Sequence, residues 1–227
     1  MPAATHLRHR SRTLLIAATV PLALAAAVVD DVRVRRQLDA ARRDPLTGLP
    51  GRHGLTAHAT KTLASRHRHQ LLLVMCDGNG FKQINDRFGH AAGDQVVITL
   101  AHRLRQWATA HRGVAARLGG DESAALVHLP RHTADRELTA LRAHMNRPVP
   151  HQDLQLPFTV SIGAAHTTDL PGHDYSALLH AADVAMYRVK TGTATFPHLA
   201  TGQDATLAPV NGRRPGRPGT HTPGRVL

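Results

Sequence analysis

The chain has 227 residues, of which 42% are hydrophobic and 3% aromatic, enough for one domain of about 150 residues with flanking segments. Its formal net charge of +12 would suit an anionic partner, but the arginines are spread along the chain without interleaved aromatic residues or zinc-ligand spacing, so we expect no nucleic-acid partner. The single cysteine, Cys76, excludes an internal disulfide framework and is predicted to be a small buried residue.

The N-terminal region begins with a basic leader, residues 1–12, followed by an uncharged apolar segment, residues 13–29. At 1.5 Å per residue, about 17 helical residues reach about 26 Å, slightly less than a hydrocarbon core of about 30 Å. We interpret the segment as a membrane anchor; a secretory signal cleaved near Ala23–Ala25 and a buried core helix are the alternatives. More arginines follow the segment than precede it, which predicts a single-pass protein of the inner (plasma) membrane with its C-terminal side in the cytoplasm.

Three regions follow the apolar segment. Residues 30–43 are predicted to be a helical connector, with Val34, Leu38 and Ala41 on one face. Residues 44–198 form the predicted domain. Residues 199–227 are rich in Pro, Gly, Thr and Arg without a periodic apolar pattern, which predicts a disordered tail.

Within the domain, apolar patterns of helical and strand type alternate. The run LLLVMC at 71–76 predicts a buried central strand, and the last helical pattern places Leu178, Leu179, Ala182 and Met186 inward. The other predicted elements are a helix at 93–111, a hairpin of strands at 113–118 and 123–129, a helix at 133–145, a strand at 156–166 and a helix at 174–190. The order of helix, strand, helix, hairpin, helix, strand and helix, with the first helix before the central strand, predicts an α/β (α+β) fold with helices packed on a sheet.

Carboxylates lie at the ends of two predicted strands. Gly119 and Gly120 precede Asp121 and Glu122 at the hairpin turn, where the missing Cβ atoms let backbone or ligand approach closely. Asp77 ends the predicted central strand. Hard oxygen ligands in small number, completed by substrate phosphate oxygens, suit Mg²⁺. The alternative is that the acids at the turn are ordinary turn residues.

Five segments of the chain are together typical of one family. They are DPLTGLPGRHGL (44–55), DGNGFKQINDRFGHAAGD (77–94), RLGGDES (117–123), FTVSIGAA (158–165) and LLHAADVAMYRVK (178–190). Over about residues 41–198 the sequence resembles the GGDEF family, the bacterial diguanylate cyclases. The resemblance implies a nucleotidyl cyclase or palm-like βαββαβ core with a five-stranded central sheet. It also implies a homodimer that converts two GTP molecules into cyclic di-GMP and two diphosphates.

The resemblance also implies roles for individual residues. The metal ligands would be Asp77, the Gly78 carbonyl and Asp121, holding Mg²⁺ (or Mn²⁺), two ions per half-site. Glu122 would lie near the attacking 3′-hydroxyl and act in catalysis with Asp121. The remaining substrate contacts would come from Asn85 and Asp94, which read guanine, from Lys82 and Lys190, which contact phosphates, and from Gly119 and Gly120 at the turn.

The sequence departs from the family pattern at four places. Ser123 replaces the phenylalanine of the signature, and no arginine follows Lys190 in the stretch TGTA. Asp77-Gly78-Asn79 replaces Asp-Ile-Asp or Asp-Leu-Asp, which predicts a looser backbone at the metal ligand. Residues 110–113, AHRG, lack the Arg-x-x-Asp of the product-inhibition site. The sequence therefore predicts a membrane-anchored diguanylate cyclase without that site, with a degenerate module that binds GTP or regulates a partner as the alternative.

Overall fold

The computed structural model describes residues 30, 33, 43–66, 68–172 and 174–206. Contacts divide the chain into two units, with the division between Arg43 and Asp44. No helix among the described residues is long and apolar enough to cross a membrane. The predicted leader, the anchor at 13–29 and most of the connector lie outside the described residues, so they stay predictions.

An antiparallel sheet forms the centre of the second unit. The strands of the protein are β1 (Leu71–Asn79), β2 (Val114–Gly119), β3 (Glu122–His128), β4 (Val149–His151), β5 (Leu154–Leu156) and β6 (Thr159–His166). Four of them make the main sheet in the order β2-β3-β1-β6, and β4 pairs with β5 alone. Cys76 lies opposite Ser123 of β3, and Asp77 lies opposite Ser161 of β6. The central strand β1 thus lies between β3 and β6, and beyond Cys76 it is paired only with β6.

Helices cover both faces of this sheet. They are α1 (Arg52–Leu63), α2 (Phe81–Phe88), α3 (His90–Ala110), α4 (Ala134–Met145) and α5 (Tyr175–Lys190). One core cluster joins α3 and α4 to Leu72, Val74 and Cys76, and the other joins α1 and α5 to the alternate residues of β1. Because both faces are covered, the central strand is a continuous apolar run. The α/β class with helices on a sheet is confirmed.

The patterned elements match the prediction within a few residues. Leu178, Ala182 and Met186 are buried as predicted, whereas Leu179 is only partly buried. Cys76 is buried, and burial together with the charge of Asp77 raises the pKa of its thiol to about 12. The short helix α2 and the β4–β5 hairpin were not predicted, because eight and three residues are too few to show a clear periodicity.

The sequence predicts a five-stranded central sheet, whereas the main sheet of the described residues has four strands. The predicted strand count was therefore wrong by one. Residues 198–200 lie beside β6, where Ala164 donates to the His198 carbonyl at 3.3 Å and accepts from the Ala200 amide at 2.7 Å. This contact is a single parallel bridge at Leu199 and not a strand.

The predicted disordered tail begins too early. Residues 204–206 form a short 3₁₀ helix, and Asp204 is fully buried. Its carboxylate accepts hydrogen bonds from Arg188 at 2.6 Å and from the Thr201 amide at 2.7 Å. The prediction of disorder was therefore wrong for residues 199–206, because one buried acid holds the segment to α5. Residues 207–227 lie outside the described residues.

Replacing Asp204 by asparagine should destabilise the domain in a pH-dependent way. Burial raises the pKa of Asp204, but hydrogen bonds from Thr201 and Arg188 outweigh burial and leave it below its ordinary value. A lowered folded-state pKa contributes stability above the unfolded-state value of about 4, and this contribution is lost as pH falls through the folded-state value. We expect Asp204→Asn to lower the free energy of unfolding at pH 7 by about 1–2 kcal/mol, since Arg188 is partly exposed and stays solvated.

Urea denaturation at pH 7 and at pH 3 measures this effect. Asp153→Asn, in the exposed turn between β4 and β5, is the matched control and should leave the free energy of unfolding unchanged. The difference between wild type and Asp204→Asn should shrink at pH 3. If wild type and Asp204→Asn had the same free energy of unfolding at pH 7, the buried Asp204 would not have a stabilising role.

Candidate active site

The β2–β3 hairpin carries the acidic tip. Gly119 pairs with Glu122, and the register shifts between Arg117 and Gly119. Such a bulge bends the strand and changes the direction of the residues that follow it. Gly120 has a φ of +54°, and an added Cβ atom at Gly119 or Gly120 would meet no atom within 4 Å. The two glycines therefore form a tight turn with open space around it, as the sequence predicted.

A clamp of two charged residues holds the tip. The Arg117 guanidinium donates to both Asp44 carboxylate oxygens, at 3.0 and 2.9 Å, and twice to the Gly120 carbonyl, at 2.9 and 2.8 Å. Burial raises the pKa of Asp44, but hydrogen bonds from Thr47 and Arg117 outweigh it and lower the pKa below its ordinary value. The paired and ionised Asp44 thus fixes the arginine that holds the turn.

Sequence reasoning missed this clamp. The stretch Asp44-Pro-Leu-Thr47 carried a local signal, since the Asp44 carboxylate accepts from the Thr47 amide at 2.8 Å and from the Thr47 hydroxyl at 2.7 Å. The partner Arg117 lies 73 residues away along the chain. No local pattern indicates a contact at that separation.

The structure brings together the predicted metal ligands Asp77, Gly78 and Asp121. Asp77 is buried at the end of β1, and a Cβ atom at position 78 would lie 2.8 Å from Asp121 Oδ2. Burial raises the pKa of Asp121, and the negative charges of Asp77 and Glu122 raise it further. The acids therefore repel one another, and a nearby cation would relieve that repulsion.

Lys190 supplies one such cation. Its ammonium group at the end of α5 donates to Asp77 Oδ1, and the positive charge lowers the pKa of Asp121. The sequence assigned Lys190 to phosphate. In the structure the Lys190 ammonium group contacts Asp77, a predicted metal ligand, and the Lys190 side chain remains partly exposed.

The donor set fits a metal that is shared with a substrate. Among the described residues, no group of three or more His, Cys, Asp or Glu side chains could hold a metal ion alone. Mg²⁺ is usually held by one or two carboxylates together with phosphate oxygens and water. Asp77 and Asp121 with the Gly78 carbonyl therefore suit Mg²⁺ that arrives with a polyphosphate, and they do not make a complete cage.

The predicted looser backbone at Asp77-Gly78-Asn79 is wrong. Both Gly78 and Asn79 remain paired with β6, opposite Val160 and Thr159. The Asn79 side chain donates to Thr159 Oγ1 at 3.2 Å and accepts from Ser161 Oγ at 2.9 Å. The amide thus ties β1 to β6 and fixes the strand that carries Asp77.

A pocket lies beside the acidic tip and under the N-terminal half of α3. Its apolar lining is Leu49, Val97, Leu100 and Ala101, and its polar lining is Thr47, Arg117, Gly120, Asp121, Glu122 and Ser123. Glu122 is buried at the start of β3, and Ser123 is partly buried. The short side chain of Ser123 leaves space here that a phenylalanine would fill.

The predicted guanine readers lie at the junction of α2 and α3. Asn85 packs directly on Gly93, where a Cβ atom would lie 2.0 Å from Asn85 Oδ1. Asp94 follows Gly93 and precedes Val97 and Ala101 by three and seven residues, so the three share one side of α3. Lys82, three residues before Asn85, is exposed in the first turn of α2. Asp94 therefore lies about one helical turn before the part of α3 that lines the pocket.

Acids at a strand end and a hairpin tip, next to a pocket, define a candidate metal-dependent nucleotidyltransferase site. The family model described as "Diguanylate cyclase, GGDEF domain" matches residues 41–194. The chain belongs to the GGDEF family of diguanylate cyclases.

Individual relatives agree with this assignment. The chain is 42% identical over 155 residues to an uncharacterised 19.3 kDa protein of Streptomyces ambofaciens, covering 68% of this chain and 81% of that protein. It is 40% identical over 178 residues to the diguanylate cyclase TpbB of Pseudomonas aeruginosa, covering 74% of this chain but only 39% of TpbB. The solved GGDEF domain of TpbB superposes with a TM-score of 0.65 at 36% identity, covering 71% of this chain and 96% of that domain.

Proposed function

We propose that this protein is a diguanylate cyclase that condenses two GTP molecules into cyclic di-GMP. The observation that carries the proposal is the close approach of Asp121 to Gly78, the residue directly after Asp77, next to a pocket that Asp121 and α3 both line. The acids suit a polyphosphate with Mg²⁺. Membership of the GGDEF family supports the same reaction.

Each GTP would be held by its base and by its phosphates. Asn85 and Asp94 present an amide and a carboxylate, which match the N–H and carbonyl edge of guanine. Lys82 and Lys190 would contact the phosphates as point charges. The open turn at Gly119 and Gly120 would let the phosphates approach the backbone closely.

The chemistry requires a 3′-oxygen to attack an α-phosphorus. A bond forms between these atoms, the bond to the β-phosphate oxygen breaks, and diphosphate leaves. Asp77, the Gly78 carbonyl and Asp121 would hold Mg²⁺ or Mn²⁺, two ions per half-site, which stabilise the entering and leaving oxygens. Glu122, buried next to Asp121, would accept the proton of the 3′-hydroxyl.

Two variants separate the metal ligand from the base reader. Asp121→Ala removes a ligand from an ion with few protein ligands, so turnover should fall at least about a hundredfold, about 2.7 kcal/mol in barrier terms. Asn85→Ala removes hydrogen bonds to the base, so it should mostly raise KM for GTP and relax discrimination against ATP. Turnover and KM of both variants are measured by chromatographic detection of the cyclic di-GMP that the purified full-length chain forms from GTP with Mg²⁺.

The same assay tests the alternative function. Wild-type protein that binds GTP but forms no product would contradict the cyclase proposal and favour a GTP-binding or regulatory module. Ser123 and the missing arginine after Lys190 are the departures that favour this alternative. Residues 110–113 lack the product-inhibition motif, so we also propose that cyclic di-GMP added to the assay does not slow the enzyme.

Catalysis would require two chains. One half-site holds one GTP, so the 3′-hydroxyl of one nucleotide meets the α-phosphate of the other only when two domains face each other. Specific activity should therefore rise with protein concentration in the dilute range, with sedimentation velocity reporting the oligomeric state. A constant specific activity from a demonstrated monomer would rule out this requirement.

Residues 13–29 would anchor the protein in the inner (plasma) membrane, with the catalytic domain in the cytoplasm. The segment carries no charge, and arginines follow it. Full-length protein should sediment with membranes, whereas the variant Leu15→Arg/Leu24→Arg, which places two charges in the segment, should shift to the supernatant. Recovery of a shortened chain beginning after Ala25 from the external medium would refute the anchor.

A further inference from the structure

Three elements converge on the bare backbone of Gly78. A Cβ atom at this position would lie 2.7 Å from Phe158 Cζ, 2.8 Å from Asp121 Oδ2 and 3.1 Å from Asp121 Cβ. Gly78 belongs to β1, Asp121 to the hairpin tip, and Phe158 to the segment directly before β6. An aromatic ring and a carboxylate thus lie on the backbone where any other residue would place its side chain.

The two neighbours of Gly78 differ in their freedom to move. Phe158 is only 3% exposed and belongs to the core cluster between the sheet and α3. Closely packed rings move only at the cost of their neighbours' packing. Asp121 lies at the tip of a turn and is partly buried. A side chain at position 78 would therefore displace the carboxylate in preference to the ring.

We propose that Phe158 is a positioning residue for Asp121: its ring fills the space over Gly78 beside the carboxylate and limits how far the carboxylate can move over β1. The proposal rests on the proposed function, in which Asp121 is a metal ligand. It assigns a role to an apolar residue that touches no substrate. Gly78 and Phe158 then form a complementary pair, in which the missing side chain of one makes room for the ring of the other.

A double-variant cycle tests the pair, with Mn²⁺ binding to the full-length protein measured by electron paramagnetic resonance in the presence of a GTP analogue whose bond between the α- and β-phosphates cannot be cleaved. Gly78→Ala should weaken Mn²⁺ binding at least about tenfold, as expected when a supporting residue of a metal site is disturbed. Phe158→Leu alone should also weaken Mn²⁺ binding, because the smaller side chain leaves space over Gly78 into which the Asp121 carboxylate can move. Gly78→Ala/Phe158→Leu should bind more tightly than Gly78→Ala, because the new methyl group then occupies part of the space that the ring has left.

Two controls separate positioning from general destabilisation. In Gly202→Ala the nearest atom to the new methyl group is 4.0 Å away, so Mn²⁺ affinity should not change. Leu141→Ala truncates a fully buried side chain of the same core on α4. It should lower the melting temperature without changing Mn²⁺ affinity.

The outcomes distinguish this inference from the proposed function. Equal Mn²⁺ affinity of wild type and Asp121→Ala would overturn both, because Asp121 would then not be a ligand. If Asp121→Ala weakens binding but Gly78→Ala does not, only the positioning role is wrong. A double variant that binds no better than Gly78→Ala would likewise exclude Phe158 as the residue that limits the carboxylate.

Discussion

Repulsion between the carboxylates of Asp77 and Asp121 is the constraint around which the site is built. Burial and the charge of Asp77 both raise the pKa of Asp121, so the pair is unfavourable unless the surroundings hold it. Three features do so. Pairing with β6 fixes the end of β1, the Asp44–Arg117 clamp fixes the turn, and Lys190 places a positive charge against Asp77.

The same arrangement explains why a basic protein carries an acidic site. The net charge of +12 is spread along the chain, whereas the acids are gathered where two strands end. A divalent cation and the phosphates of a nucleotide would satisfy opposite charges at one place. Helix α3 carries Asp94 near its start and Val97 and Ala101 farther along, so one rigid element connects a predicted guanine-reading residue to the pocket beside the acids. Sites built on helices and strands hold their geometry more closely than sites on loops.

The departures from the family pattern have different structural consequences. Asn79 makes hydrogen bonds to Thr159 and Ser161, so the change from an acid is accommodated by new contacts between β1 and β6. The space that a side chain at position 78 would occupy is filled by Phe158 and Asp121. Ser123 has no comparable replacement for a phenylalanine ring and lines the pocket. The first two changes keep the predicted metal ligand Asp77 in place, and the third reduces the side-chain volume beside the pocket.

Much of the fold could be predicted from the sequence alone, whereas the roles of the site residues stay predictions. The apolar run at 71–76, the helical faces and the glycine turn are local patterns, and burial on both sides of a sheet makes them readable. Contacts between distant segments were decided only by the tertiary structure. Arg117 meets Asp44 across 73 residues, and Phe158 and Asp121 both reach Gly78 only because β1 lies between β3 and β6. The ordering of residues 199–206 was likewise decided by the tertiary structure. Their composition indicates disorder, but the buried carboxylate of Asp204 accepts a hydrogen bond from Arg188 on α5. Local periodicity determines which elements form, whereas long-range charge pairing and close packing determine where the carboxylates point.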